Sequence, residues 1–275
     1  MSLLDRIKQM GFTVDFVALY KFLRRYVVHD KPYSLGANKD ILDPRDVMYK
    51  VRRFKALPST TSRKNIKEFS HRYDQGDIGS CVGHGVVEAF RRVLMINHQP
   101  DFAPSRLFAY YIARVDKDND TGASIRDAFK AINRLGLCSE KTVPYRTRKF
   151  AEAPSLEALA EAQDHQAIRY ERLPQSRQAI MDAVSQGYPV VYGKLIYESF
   201  MSEKVALSGN VPVPYKGETC HGGHCMVIFD YDEYGTVELN SWGRSWGKCG
   251  ECHVPWEYVL DSKQCMDFWV LYLSE

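Results

Sequence analysis

Asp74-Gln75-Gly76-Asp77-Ile78-Gly79-Ser80-Cys81 runs directly into Val82, Val86, Phe90 and Val93, apolar residues recurring every three or four positions. That recurrence predicts a helix from 82 onward. The glycine-rich stretch delivers Cys81 to the helix N-terminus, where free amides and the helix dipole favour thiolate over thiol. Taken alone, a cysteine there is more often a small core residue than a reagent. A reactive one needs a base or ion-pair partner and a donor for an oxyanion. The second half of the chain holds matching residues. Gly222-Gly223-His224 enters a strand, and Asn240-Ser241-Trp242-Gly243 ends the next, with Asn240 sixteen residues after His224. In a hairpin that spacing seats the Asn side chain beside the imidazole, fixing its orientation and tautomer, and places Trp242 to shield their bond from water.

Helical spacing also fits 104–114, 123–135 and 176–186. From Tyr188 the character changes: Pro189-Val190-Val191-Tyr192 and Cys225-Met226-Val227-Ile228-Phe229-Asp230-Tyr231 are β-rich. A turn at Asp232-Glu233-Tyr234-Gly235 leads into Thr236-Val237-Glu238-Leu239, a hairpin pattern, and Phe268 to Leu273 reads as a last strand. Helices precede strands, so the class is α+β with segregated halves and a cleft between them suited to a site.

Together these blocks resemble the papain-like cysteine peptidases. The resemblance rests on Gln75-Gly76…Gly79-Ser80-Cys81, on Gly223-His224, and on Asn240-Ser241-Trp242-Gly243-Arg244-Ser245-Trp246-Gly247 continuing to Gly250. Gly122-Ala123-Ser124, Pro144-Tyr145, Gly187-Tyr188-Pro189-Val190 and Leu57-Pro58 are softer matches, and the resemblance spans about 57–275. It implies a papain-like fold and hydrolysis of peptide bonds in a peptide or protein substrate, with no cofactor and no metal. Cys81 would be the nucleophile, His224 the base and then acid, Asn240 its orienter, and Gln75 an oxyanion donor beside the Cys81 N–H. Gly122 and Ala123 would hold the substrate main chain, with Trp242 lining the site. Val82 follows the nucleophile where plant and lysosomal members carry Trp, Ile78 replaces a disulfide cysteine, and Ala123 stands for a second glycine. The missing disulfide fits a microbial or viral member. A structural or binding part of a larger assembly, such as a virion, is the alternative on the same fold.

Residues 1–56 read as a basic extension to a catalytic domain at 57–275. Phe16, Leu19, Tyr20, Leu23 and Val27 predict an amphipathic helix at 14–28, and Lys31-Pro32-Tyr33-Ser34-Leu35-Gly36 reads as turn-forming. Residues 1–73 hold 16 Lys and Arg against 7 Asp and Glu, net +9; the remainder holds 21 against 27, net −6. The extension is therefore expected to dock permanently on the acidic body or on a protein partner, and not to be a removable inhibitor. No nucleic-acid module is evident. The composition, 45% hydrophobic and 26% charged in 275 residues, excludes disordered, collagenous and coiled-coil chains. No run approaches the roughly 18 apolar residues of a membrane span, and the N-terminus lacks a signal pattern, so a cytoplasmic or virion-associated protein is expected.

His84, three residues after Cys81, has no apparent orienter and reads as an interior or cleft-rim residue. Cys220, His221, Cys225, Cys249, Cys252 and His253 have spacings compatible with zinc or a disulfide, with free thiols preferred.

Overall fold

The computed structural model describes residues 33–51, 71–165 and 168–273. The helix expected at 14–28, Leu57-Pro58 and the domain boundary at 56/57 lie outside the described residues.

Helix α1 (Cys81–Ile96) runs through the middle of the helical half, burying the predicted Val82, Val86, Phe90 and Val93. Two glycines let it be central. A Cβ at Gly83 would lie 2.8 Å from the Arg106 carbonyl, and one at Gly85 would lie 2.8 Å from the Cys225 sulfur. Helices α2 (Arg106–Ala113), α3 (Ile125–Leu135), α4 (Leu156–Gln163) and α5 (Arg177–Ser185) each start on a serine whose hydroxyl accepts a first-turn N–H.

The second half is an antiparallel six-stranded sheet in the order β3 (Ile168–Arg172), β8 (Cys265–Leu273), β4 (Val190–Tyr197), β5 (Cys220–Tyr231), β6 (Gly235–Leu239), β7 (Glu251–Pro255). The predicted hairpin is β5–β6, with Val227 opposite Leu239. Alternate residues face two cores. Cys225 and Val227 meet α1, whereas Met226 and Ile228 pack with α5 and Trp242. The α+β class holds, with α5 on the sheet side, and α4, β3 and β7 are among the additions the sequence did not mark.

Residues 33–51 lie along the body. Of the turn-forming stretch expected over 31–36, residues 31 and 32 lie outside the described residues, and 33–36 form no turn but lead into β1 (Ala37–Asn38), which pairs in parallel with β2 (Ala123–Ser124). Beyond it, Tyr49 N–H bonds the Arg172 carbonyl at 2.9 Å and the Arg172 N–H bonds the Val47 carbonyl at 2.8 Å. The charges here run against the net balance, because acids of the extension meet arginines of the body. Arg172 reaches Asp40 at 3.0 Å and Asp46 at 3.1 Å of the extension, and Asp267 at 3.0 Å of β8. Arg126 pairs with Asp43 and, at 2.6 Å, with Asp46. A summed charge counts solvated lysines equally with the few buried carboxylates that make the contacts. Arg172→Ala would leave three carboxylates facing one another at low exposure, and is expected to cost about 3–5 kcal/mol of stability. Denaturant unfolding checks this, and an unchanged midpoint would remove Arg172 as the clamp.

Candidate active site

Cys81, His224, Asn240, Gln75 and Trp242 lie close together at the junction of α1, β5 and the loop after β6. Cys81 opens α1 and is fully buried. The Ser80 hydroxyl bonds the Tyr145 hydroxyl at 2.6 Å and leaves the α1 N-terminus without a side-chain cap. Behind the cysteine, the Gly79 N–H donates to Asp120 at 2.8 Å. Asp120 also accepts from the Tyr110 hydroxyl, whose oxygen accepts the Gly122 N–H at 3.2 Å. Asp120 thus ties the loop before Cys81 to the glycine loop at 122. Sequence reasoning missed it because its only local signal was an Asp ahead of a Thr-Gly turn.

His224 and Asn240 meet as the hairpin spacing predicts. Asn240 Oδ1 faces His224 Nε2 at 2.8 Å and accepts the Ser241 N–H at 2.7 Å. With Oδ1 fixed as an acceptor, the neutral imidazole carries its proton on Nε2 and keeps a lone pair on Nδ1. Trp242 covers the pair, its ring centroid 4.7 Å from the imidazole's. Burial, the larger cause, and then the Lys194 charge pull His224 down to about 4, against an upward pull from the Asn240 bond. His84 is a core residue, bonded through Nδ1 to the Ser80 carbonyl at 3.0 Å and lowered to about 3, chiefly by burial.

The structure does not join Cys81 to His224. His224 Nδ1 is buried without a hydrogen-bond partner, and the thiol lies against backbone N–H groups, notably those of Cys225 and Gly36. The thiolate expected at the helix start is absent in this state. Burial pushes the Cys81 thiol up to about 11, outweighing those N–H groups. Helix-end effects are worth a fraction of a kcal/mol to about 2, so removal of water wins.

The extension supplies that burial. Tyr33 stacks on Trp242 with centroids 4.3 Å apart. The Ser34 carbonyl accepts the Gln75 side-chain amide at 3.1 Å and the Trp242 indole N–H at 3.4 Å. Gly36 N–H donates to the Gly223 carbonyl at 3.1 Å, and its own carbonyl accepts the Ala123 N–H at 2.9 Å. Three body glycines make the groove narrow enough. A Cβ at Gly79, Gly122 or Gly223 would lie 3.0 Å, 2.3 Å or 2.1 Å from a backbone oxygen of Leu35, Gly36 or Ala37. Gln75, whose Oε1 accepts the Ser241 hydroxyl at 2.6 Å and whose amide also bonds the Ile78 carbonyl at 2.8 Å, is rigidly aimed. So Gln75, the expected oxyanion donor, and Gly122, Ala123 and Trp242, the residues expected to bind substrate, hold the chain's own residues 33–37.

A model of the papain family cysteine proteases matches residues 57–259. The chain belongs to that family. It is 33% identical over 257 residues to an uncharacterized peptidase C1-like protein of Acanthamoeba polyphaga mimivirus, covering 88% of this chain and 79% of that one. It is similar to xylellain, a cysteine protease from Xylella fastidiosa, with a TM-score of 0.82 and 31% identity over 89% of this chain and 98% of that one. Digestive procathepsin L2 proteinase of Tenebrio molitor larval midgut shares the fold, with a TM-score of 0.67, 18% identity and coverage of 88% and 78%. As a papain-family protease the protein acts on peptide or protein substrates. All seven cysteines are free. Among the described residues no group of three His, Cys, Asp or Glu is placed to hold a metal ion, and no helix is long and apolar enough to cross a membrane.

Proposed function

We propose that this papain-family protease cleaves peptide bonds through a Cys81–His224–Asn240 triad and a thioester acyl-enzyme, with residues 33–37 covering the site between turnovers. The bond of Asn240 to His224 carries the reading, because it leaves a lone pair on Nδ1, one residue along β5 from the Cys225 N–H that touches the thiol. With residues 33–37, a strap over the site, displaced, water returns and both pKa shifts relax, so the proton passes from sulfur to Nδ1. The thiolate attacks the carbonyl carbon. The oxyanion takes hydrogen bonds from the Cys81 N–H and from the Gln75 amide, which now holds the Ser34 carbonyl. The C–N bond breaks, and Nδ1 passes its proton to the leaving amine. Water then attacks the thioester, giving a proton to Nδ1, which returns it to sulfur as the acid leaves. Gly122 and Ala123 hold the substrate main chain where Gly36 now lies.

The strap is not itself a substrate in this position, since it presents the Gly36 N–H to the thiol. Asn240→Ala is expected to leave the fold intact and lower kcat about tenfold or more, because the imidazole loses its orientation. Unchanged peptidase kinetics would sink the triad. A second reading, a papain-fold part of a larger assembly with little or no peptidase activity, is favoured by the same covered site. It predicts no turnover even when the strap is displaced.

A further inference from the structure

Lys194 and Glu238 are both completely buried, 2.8 Å apart, and the proposed mechanism has no use for either. Lys194 stands directly opposite His224 in the β4–β5 ladder, so the two side chains share one face of the sheet. Glu238 lies two residues before Asn240 on β6. The ion pair therefore runs diagonally over β5, from Lys194 opposite His224 to Glu238 opposite Ile228, and links the strands on either side. Its surroundings are complete. Glu238 accepts from the Thr236 hydroxyl at 2.7 Å and from the Tyr192 hydroxyl at 2.5 Å. The Lys194 ammonium sits over the rings of Tyr192, Tyr258 and Phe200, 5.2 to 5.5 Å from their centroids. Phe200 in turn packs edge-on against Trp242, the ring that covers His224.

We propose that Lys194, paired with Glu238, is a positioning residue for His224: the buried pair ties β4 to β6 across β5 beside the imidazole and sets the electrostatic field in which it takes up and releases its proton. The inference rests on the reading of His224 as the base. An ion pair buried this deeply is seldom more stabilising than apolar residues of the same size, so stability alone does not account for it. The Lys194 charge, opposite His224 on β4, opposes a second positive charge there. The other groups around the imidazole do not supply that field. Asn240 is neutral, Cys81 is a thiol in this state, His84 on α1 is held neutral by burial and then by Arg106, and Tyr33 of the strap lies beyond Trp242.

The test is an NMR titration of His224 in the full chain labelled at histidine, the signal being assigned by its loss in His224→Gln. Lys194→Met with Glu238→Gln removes both charges while keeping volume. The midpoint of His224 is expected to rise by about half a unit to one unit, with near-native unfolding. Lys194→Gln with Glu238→Gln, which retains a hydrogen bond, should move it the same way. An unchanged midpoint in a folded double variant overturns the proposal. So does failure of both variants to fold, since the pair would then serve stability. The titration needs no turnover, so a chain that never hydrolyses peptides refutes the peptidase reading without touching this result.

Discussion

Gly36→Val is expected to raise the alkylation rate of Cys81 by iodoacetamide at neutral pH about a hundredfold or more. A Cβ on residue 36 would lie 1.9 Å from the Gly79 carbonyl oxygen, a distance no pair of heavy atoms tolerates. Gly79 has little freedom to retreat, being held through its N–H by Asp120 and followed within two residues by the start of α1. The strap must therefore give way, and water reaches the thiol. The direction follows from the thiol's position. In the covered state Cys81 titrates at about 11 because it is buried, so thiolate is scarce at pH 7 and the reaction rate climbs as pH rises towards that value. Each unit by which the thiol falls on exposure multiplies the thiolate fraction tenfold. His224, held at about 4 by the same burial, rises and becomes able to accept the proton. The freed chain should react at a rate that has already levelled off near neutral pH. Mass spectrometry of the Cys81 peptide separates this from labelling of the exposed Cys220 and Cys249. A folded Gly36→Val protein whose Cys81 reacts as slowly as the parent's would show that the strap does not govern the thiol.

Cys81→Ala, placed in the Gly36→Val background, is expected to lower kcat by about 10⁴–10⁶, the scale on which loss of a nucleophile acts when other groups work through it. The background matters because in the parent chain the covered site masks the comparison. Alanine is close in size to a buried cysteine that makes no side-chain bond beyond its contacts with N–H groups, so the fold should survive, and circular dichroism can verify that. Turnover persisting within tenfold of Gly36→Val would move the chemistry to another residue. Absence of turnover in Gly36→Val itself, with Cys81 freely alkylated, would instead support the non-catalytic reading of the fold.

Much of the site was legible because its residues are marked by short-range patterns. The helix after Cys81 declared itself in Val82, Val86, Phe90 and Val93, and the His224–Asn240 contact followed from the length of one hairpin, whose two strands alternate apolar residues on both faces. Two of the elements that escaped did so for local reasons. In α4 the buried face is only Ala158 and Ala162, too small to show a period. In β3 the charged Arg169, Glu171 and Arg172 break the apolar pattern because Arg172 and Glu171 are satisfied by partners elsewhere in the chain. Lys194 escaped for a related reason. Its sequence signal is a single charge inside the apolar run from Val190 to Tyr197, and its partner is 44 residues away.

Residue order alone sets which residues stand at the start of the helix, at the head of the hairpin and at its far end, because helix and strand periods are properties of neighbouring residues. The state those residues are in comes from how distant parts of the chain pack over them. Whether Cys81 is thiol or thiolate depends on how much water reaches it, and that is set by Gly36, which approaches it between Gly79, Gly122 and Gly223. Tyr33-Ser34-Leu35-Gly36 carries no pattern of its own that distinguishes a turn from a strap. Its conformation is fixed by hydrogen bonds to Gln75, Ala123 and Gly223, residues 41 to 187 positions later in the chain, and protonation follows burial wherever the chain is brought together from such distances.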